Sequence, residues 1–112
     1  MKKLLATLTA AILLATPALA QARPKYMDFC EHLADVAEMF MWHRQLGEPI
    51  ESVLEWIDRS APRLSVHEVW TDMVIAAYSV PVYNTPEYKP LAVISFGNAA
   101  RDTCIEMHGG SI

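Results

Sequence analysis

Apolar side chains recur at three- and four-residue steps in four stretches of the chain, a spacing that places them on one face of an α-helix. The stretches predict helices over residues 25–46, 49–60, 65–78 and 85–107. No segment alternates apolar and polar residues for long enough to indicate a strand; the nearest, VPVY, contains a proline, which is disfavoured within sheets. The pattern therefore predicts an all-α domain of four helices.

Proline, glycine and short polar residues mark the ends of the predicted helices. Gly47 stands where a C-terminal cap is expected, and Pro49 fits the first turn of the next helix. Ser65 and Glu68 have the spacing of a capping box, which predicts that the third helix begins with Ser65 as its N-cap. Thr85, followed by a proline, is the predicted N-cap of the fourth helix.

Two cysteines lie on the apolar faces of the first and last predicted helices. Cys30 falls in the early turns of the first helix and Cys104 in the late turns of the fourth, 74 positions later. A disulfide between them would set the two helices side by side and antiparallel; two free buried thiols are the alternative. Gly97, on the same face as Cys104, costs about 1 kcal/mol relative to alanine in a helix interior, so we expect a neighbouring helix to approach closely there.

The first twenty residues have the layout of a cleaved secretory signal peptide: two lysines, an apolar run over residues 4–15, a proline, and small residues up to Ala20. Cleavage there leaves a single domain over residues 21–112. An uncleaved N-terminal anchor is the alternative, but the apolar run is shorter than the roughly 20 residues of a membrane-spanning helix. We therefore expect no membrane span.

Removing the signal peptide makes the chain more acidic. The full sequence has nine basic and 13 acidic side chains, and the loss of two lysines with the signal takes the formal net charge from −4 to −6. This charge argues against nucleic-acid binding, which needs basic side chains to neutralise phosphates. Export and a disulfide together predict a periplasmic domain, with secretion to the medium as the alternative.

Side chains suited to catalysis or metal binding do not form a recognised constellation. His67 and Glu68 do not continue as an HExxH motif, no serine lies in a GxSxG setting, and no glycine-rich phosphate loop is present. A zinc site built from His32 with Asp28 or Asp35 is the alternative, since these residues share a helix face; we expect solvated histidines instead. The sequence therefore predicts a protein that is not an enzyme and holds no cofactor or metal.

One side of the first predicted helix combines carboxylates with a tryptophan. Glu31, Asp35 and Glu38 lie on its polar side, and a count of 100° per residue places Trp42 with them. Aromatic anchors supply much of the binding energy at protein interfaces. These four residues are therefore candidates for binding a partner protein with a basic surface. The alternatives are a solvated acidic face and a tryptophan that packs against a loop.

The connection between the third and fourth helices is rich in tyrosine and proline. It reads YSVPVYNTPEY over residues 78–88. Rigid tyrosine-rich loops suit recognition, which makes Tyr83 a fifth candidate for partner binding. The alternative is that the tyrosines hold the loop against a small core. The oligomeric state stays open.

Short motifs are distributed over nearly all of the predicted mature chain. They are a first cysteine followed by LADVAEMF, Arg44-Gln45-Leu46-Gly47, Ala77-Tyr78, Pro81, Tyr83, Thr85-Pro86-Glu87, Phe96 and a last cysteine. With the export signal, this combination resembles a group of short exported proteins of unknown function found in phage and proteobacterial genomes. The resemblance implies no activity, but the phage association favours a protein that acts on the host envelope, as exclusion and inhibitor proteins do.

Two functions follow as hypotheses. The first is a non-enzymatic periplasmic protein that binds or inhibits an envelope protein with a basic surface. The second is an acid-activated periplasmic chaperone, because acid would neutralise 13 carboxylates and loosen a small domain. The acid-stress chaperones of the periplasm are also small and helical with one disulfide, but they differ from this chain in cysteine spacing and in their lysine-rich ends.

Overall fold

The computed structural model describes residues 24–109, so the predicted signal peptide and its cleavage site lie outside the described residues. Within residues 24–109 the chain forms α-helices and no strand, as the apolar periodicity predicts. The helices are α1 (Lys25–Gln45), α2 (Ile50–Ser60), α3 (Leu64–Tyr78) and α4 (Tyr88–Gly109). None of these four helices combines the length and the apolar character that crossing a membrane requires.

α1 and α4 form an antiparallel pair, the most extensive helix contact in the described part of the chain. A disulfide between Cys30 and Cys104 joins them near one end, with 5.5 Å between the two Cα atoms. Near the other end, the Lys89 ammonium group donates to the carbonyl oxygen of Gln45 at 2.8 Å. The predicted pairing of the first and last helices is therefore confirmed, and the free-thiol alternative is wrong.

Gly97 is buried against α1, where a larger residue does not fit without movement. A Cβ atom at this position would lie 2.5 Å from Cγ of Glu38 and 3.3 Å from the carbonyl oxygen of Ala34. Both distances are shorter than the roughly 3.5–4.0 Å at which dispersion attraction is best between carbon atoms. The expected close approach of a neighbouring helix is therefore confirmed, and α1 is that neighbour.

The hydrophobic core lies where α1, α2 and α3 meet, and Val93 of α4 completes it. Phe40 is fully buried at its centre, and its ring meets Trp56 and Trp70 edge-on at centroid distances of 6.2 and 6.3 Å. The two indoles stack on each other at 5.5 Å. Both arrangements are favourable for aromatic rings and add to the energy of burial. The other buried members of this core are Met41, Val53, Ile57, Val74, Ala77 and Val93.

The turn after α1 is a Schellman motif. Gly47 has a φ of +81°, and its N–H donates to the carbonyl oxygen of Arg44 at 3.0 Å. The N–H of Glu48 donates to the carbonyl oxygen of His43 at 3.1 Å. These two bonds satisfy carbonyl groups that the helix leaves free at its end. The predicted C-terminal cap at Gly47 is therefore confirmed.

The predicted capping box of α3 is wrong. The helix begins at Leu64, its N-cap is Arg63, and no side chain caps it. The N–H of His67 donates to the carbonyl oxygen of Arg63 at 3.0 Å, so the helical hydrogen bonds begin two residues before Ser65. Ser65 therefore lies inside the first turn of α3. It cannot be the N-cap residue of a capping box with Glu68.

The start of α4 also differs from the prediction. The helix begins at Tyr88 and not at Thr85, and the N–H of Tyr88 donates to the carbonyl oxygen of Thr85 at 3.0 Å across a preceding turn. Pro90 explains the later start, because its missing N–H and its ring would interrupt a helix that began at Thr85. With Tyr88 as the first residue, Pro90 falls in the first turn, where no intrahelical donor is needed.

Candidate functional site

Four of the five candidate residues lie along one side of α1, which supports the 100° count made from the sequence. Glu31, Asp35 and Trp42 are exposed, and Trp42 keeps 40% of its surface accessible. Glu38 is only half-buried, because its side chain packs over Gly97 of α4. Glu38 therefore takes part in the α1–α4 contact while staying half-exposed on the polar side of α1.

Two contacts fix how α4 runs beside this side of α1. Oε2 of Glu31 lies 3.7 Å from Nη1 of Arg101, and Glu38 covers Gly97. Residues three or four apart on a helix follow one another on one face. Trp42 lies one turn after Glu38 on α1. It is therefore level with Ile94, which lies one turn before Gly97 on α4.

We call this exposed junction between α1 and α4 the seam, and it continues as an apolar surface beyond Trp42. Leu46 follows Trp42 by one turn, and Ile94 lies across from Trp42 on α4. Leu46 and Ile94 keep 67% and 52% of their surfaces accessible. We call these three side chains, Trp42, Leu46 and Ile94, the seam patch. The seam thus has an acidic half and an apolar half.

The α4 residue of the seam patch, Ile94, was missed by the sequence reasoning, although a signal for it exists. The stretch PLAVISFGNAA over residues 90–100 carries no charged side chain. Only its buried stripe was interpreted, whereas Leu91 and Ile94 lie outside that stripe. The indication of an exposed apolar surface was that this helix segment has no charged residue and carries large apolar residues outside its buried face.

Gln45 holds the loop after α3 against the end of α1. Its side chain is 1% exposed, and Nε2 donates to the carbonyl oxygen of Pro81 at 2.9 Å while Oε1 accepts from the N–H of Tyr83 at 3.0 Å. One amide therefore satisfies both an acceptor and a donor of the loop backbone. The loop is pinned to the core, although by Gln45 more than by the tyrosines.

Arg44 and Tyr78 strengthen the same attachment. Nε of Arg44 donates to the carbonyl oxygen of Val80 at 2.9 Å, and its guanidinium lies 5.2 Å from the ring centre of Tyr78. The Tyr78 hydroxyl donates to the carbonyl oxygen of Glu48 at 2.8 Å. Burial, with the charge of Glu48, raises the pKa of Tyr78 against the opposing effect of Arg44. The hydroxyl therefore stays protonated and remains a donor at neutral and mildly alkaline pH.

Tyr83 does not join the other four candidates. Its ring meets Tyr88 edge-on at 6.1 Å and lines a groove of about 550 Å³ between the loop, Met41 and α4. The α4 side chains in this groove include Phe96, which is two positions and thus 200° around the helix from Ile94. Leu91 also lines this groove, so Tyr83 lies beside Leu91 and Phe96 and not among the residues of the seam.

Two of the four histidines, His43 and His67, pair with nearby carboxylates. Nδ1 of His43 pairs with Glu48, and Nε2 of His67 lies 2.7 Å from Oδ1 of Asp58. The described residues contain no group of three or more His, Cys, Asp or Glu side chains that could hold a metal ion, so His32 does not form the alternative zinc site.

Comparison of the chain with protein-family models, with curated protein sequences and with solved structures finds no match.

Proposed function

We propose that this protein is an exported, non-enzymatic binding protein of the periplasm whose seam docks an envelope protein with a basic surface. The observation that carries the proposal is Trp42, a large aromatic side chain that remains 40% exposed between the carboxylates of α1 and further exposed apolar residues. An inhibitory role toward that envelope protein agrees with the resemblance to exported phage and proteobacterial proteins.

Trp42 has the properties of an interface anchor. Tryptophan is enriched among the few interface residues that dominate binding energy, and such anchors are surrounded by contacts that exclude water. Leu46 and Ile94 can supply those contacts on either side. Glu31 and Asp35 add a negative potential that would steer a basic partner toward the seam and oppose acidic ones.

The disulfide supports the location. Cys30 and Cys104 are bonded, and disulfides persist in oxidising compartments such as the periplasm but are rare in the cytosol. A periplasmic partner is therefore the appropriate one to search for.

Trp42→Ala is expected to abolish capture of the partner from an envelope extract. Truncating an aromatic anchor costs about 2 kcal/mol or more, roughly a thirtyfold loss of affinity. The measurement is recovery on immobilised wild-type and variant protein, quantified by mass spectrometry and repeated with the purified partner. Leu64→Ala is the matched control, because Leu64 is 72% exposed at the start of α3, away from the seam. Equal recovery of every protein by wild type and Trp42→Ala would remove Trp42 from the binding site.

An acid-activated chaperone is the second candidate, and three carboxylate contacts with basic side chains favour it. Each contact depends on a negative charge that strong acid removes. Their loss would loosen the helices and uncover apolar surface. The contacts are Glu31–Arg101, His43–Glu48 and Asp58–His67.

The chaperone candidate predicts suppression of client aggregation only below about pH 4, together with loss of near-ultraviolet circular dichroism from the packed tryptophans. Light scattering of an acid-labile client measures the first, and the spectrum measures the second. A protein that stays compact at that pH and leaves aggregation unchanged is not such a chaperone.

A further inference from the structure

The uncharged part of α4 is covered on one side only. Among the described helices, α1 alone packs extensively on α4. Val93 and Gly97 are buried there, whereas Leu91 and Ile94 remain more than half exposed. Contiguous exposed apolar patches on soluble proteins mark interaction sites. The seam patch, with Trp42 and Leu46 across from Ile94, is such a surface.

The acidic half of the seam has a regular spacing. Glu31, Asp35 and Glu38 follow at steps of four and three residues, which spread them over about 10 Å along α1. Arg101 offsets part of this charge through Glu31. A second helix packed along the seam could place basic side chains opposite these carboxylates if its lysines or arginines had the same spacing.

The shape of the seam favours a helix as its occupant. Two antiparallel helices leave a shallow groove between them in which a third helix can lie with its apolar face inward. A peptide that binds by adding a strand would need a strand edge, and residues 24–109 form no strand.

A second copy of this chain is a poorer occupant. In a parallel dimer that pairs the two seams, the carboxylates of Glu31 and Asp35 would lie opposite the same carboxylates of the second copy. Two seams overlaid antiparallel would place these carboxylates on the partner's apolar patch. Either arrangement desolvates negative charges without a counter-charge, which is costly.

We infer that the seam binds one amphipathic helix of the partner protein, with lysine or arginine at four- and three-residue steps beside Glu31, Asp35 and Glu38, and with large apolar side chains over the seam patch. This inference rests on the proposed function and specifies its partner. From Glu31 to Leu46 the seam is about 22 Å long, so the bound helix has about four turns.

Three synthetic peptides of about 16 residues test the inference. The first carries an apolar stripe with three lysines toward one end. The second has glutamine for each lysine, and the third is a scrambled version of the first that keeps its composition but loses the stripe. Binding to the oxidised exported protein is followed by fluorescence anisotropy of labelled peptide and by the gain in helical circular dichroism.

We expect the striped lysine peptide to bind at least about tenfold more tightly than the other two and to become helical on binding. Ile94→Ser and Asp35→Asn should each weaken it about tenfold, and Leu64→Ser should leave it unchanged. Raising sodium chloride to about 0.5 M should weaken the lysine peptide more than the glutamine peptide, because salt screens exposed charges.

Equal binding of the scrambled peptide, or an Ile94→Ser variant that binds like the wild type, would overturn the inference. Sedimentation showing a dimer that Ile94→Ser dissociates would also overturn it, since a second copy would then occupy the seam. If no peptide binds while Trp42→Ala still loses the envelope partner, the docking site stands and only the helical partner is wrong. If Trp42→Ala also retains the partner, the proposed function fails as well.

Discussion

Replacing Cys30 and Cys104 with alanine is expected to lower the free energy of unfolding by about 4 kcal/mol. The disulfide closes a loop between positions 74 residues apart, so it excludes a large share of the conformations open to the unfolded chain. For a domain whose total stability is of the order of 5–15 kcal/mol, this loss is a large fraction. Urea unfolding followed by tryptophan fluorescence measures it.

Reduction provides the control for this substitution. Wild-type protein with dithiothreitol should unfold at the same urea concentration as the double variant, and the double variant should not respond to dithiothreitol. An unchanged unfolding midpoint in the double variant would show that the contacts between α1 and α4 hold the pair without the covalent bond.

Gln45→Met is expected to lower the free energy of unfolding by about 3 kcal/mol, because it leaves two backbone groups at part-buried sites without partners. Methionine nearly matches glutamine in length but offers no donor to the Pro81 carbonyl oxygen and no strong acceptor for the Tyr83 N–H. Each buried polar group left unsatisfied costs about 1–3 kcal/mol. Urea unfolding gives the total loss.

Hydrogen exchange separates this effect from a general loss of packing. In the wild type the amide of Tyr83 is protected by Oε1 of Gln45, so Gln45→Met should accelerate its exchange far more than that of Phe40 in the core. Arg44→Met is the comparison variant: it loses one bond to Val80, at a part-buried site, and should cost about 1 kcal/mol. Unchanged exchange at Tyr83 would contradict the assigned role of Gln45.

The helices and the disulfide were predictable because both depend on patterns that a single helix carries. Each helix must bury one face, so its apolar spacing shows in the sequence, and Cys30 and Cys104 each stand on such a face. The starts of α3 and α4 were less predictable. A capping box at Ser65 and an N-cap at Thr85 are local preferences, and the path of the preceding chain and the position of Pro90 override them.

The parts of the site that were missed depend on residues far apart in the chain. Gln45 resembles an ordinary polar residue at a helix end until the loop some 36 positions later places Pro81 and Tyr83 beside it. Ile94 becomes part of a surface with Trp42 only when α4 folds back along α1. The packing of Glu38 over Gly97 is not visible in the sequence, because Gly97 lies in another helix. Such relations arise from packing and leave no periodic signal.

The position of the disulfide also determines how the domain carries mechanical load. Cys30 is in the second turn of α1, and Cys104 is near the end of α4. A tension applied to the two ends of residues 24–109 would pass through the sulfur–sulfur bond and leave residues 31–103 outside the path of the force. The seam, the core and the pinned loop would therefore keep their arrangement while the protein was pulled between two attachments.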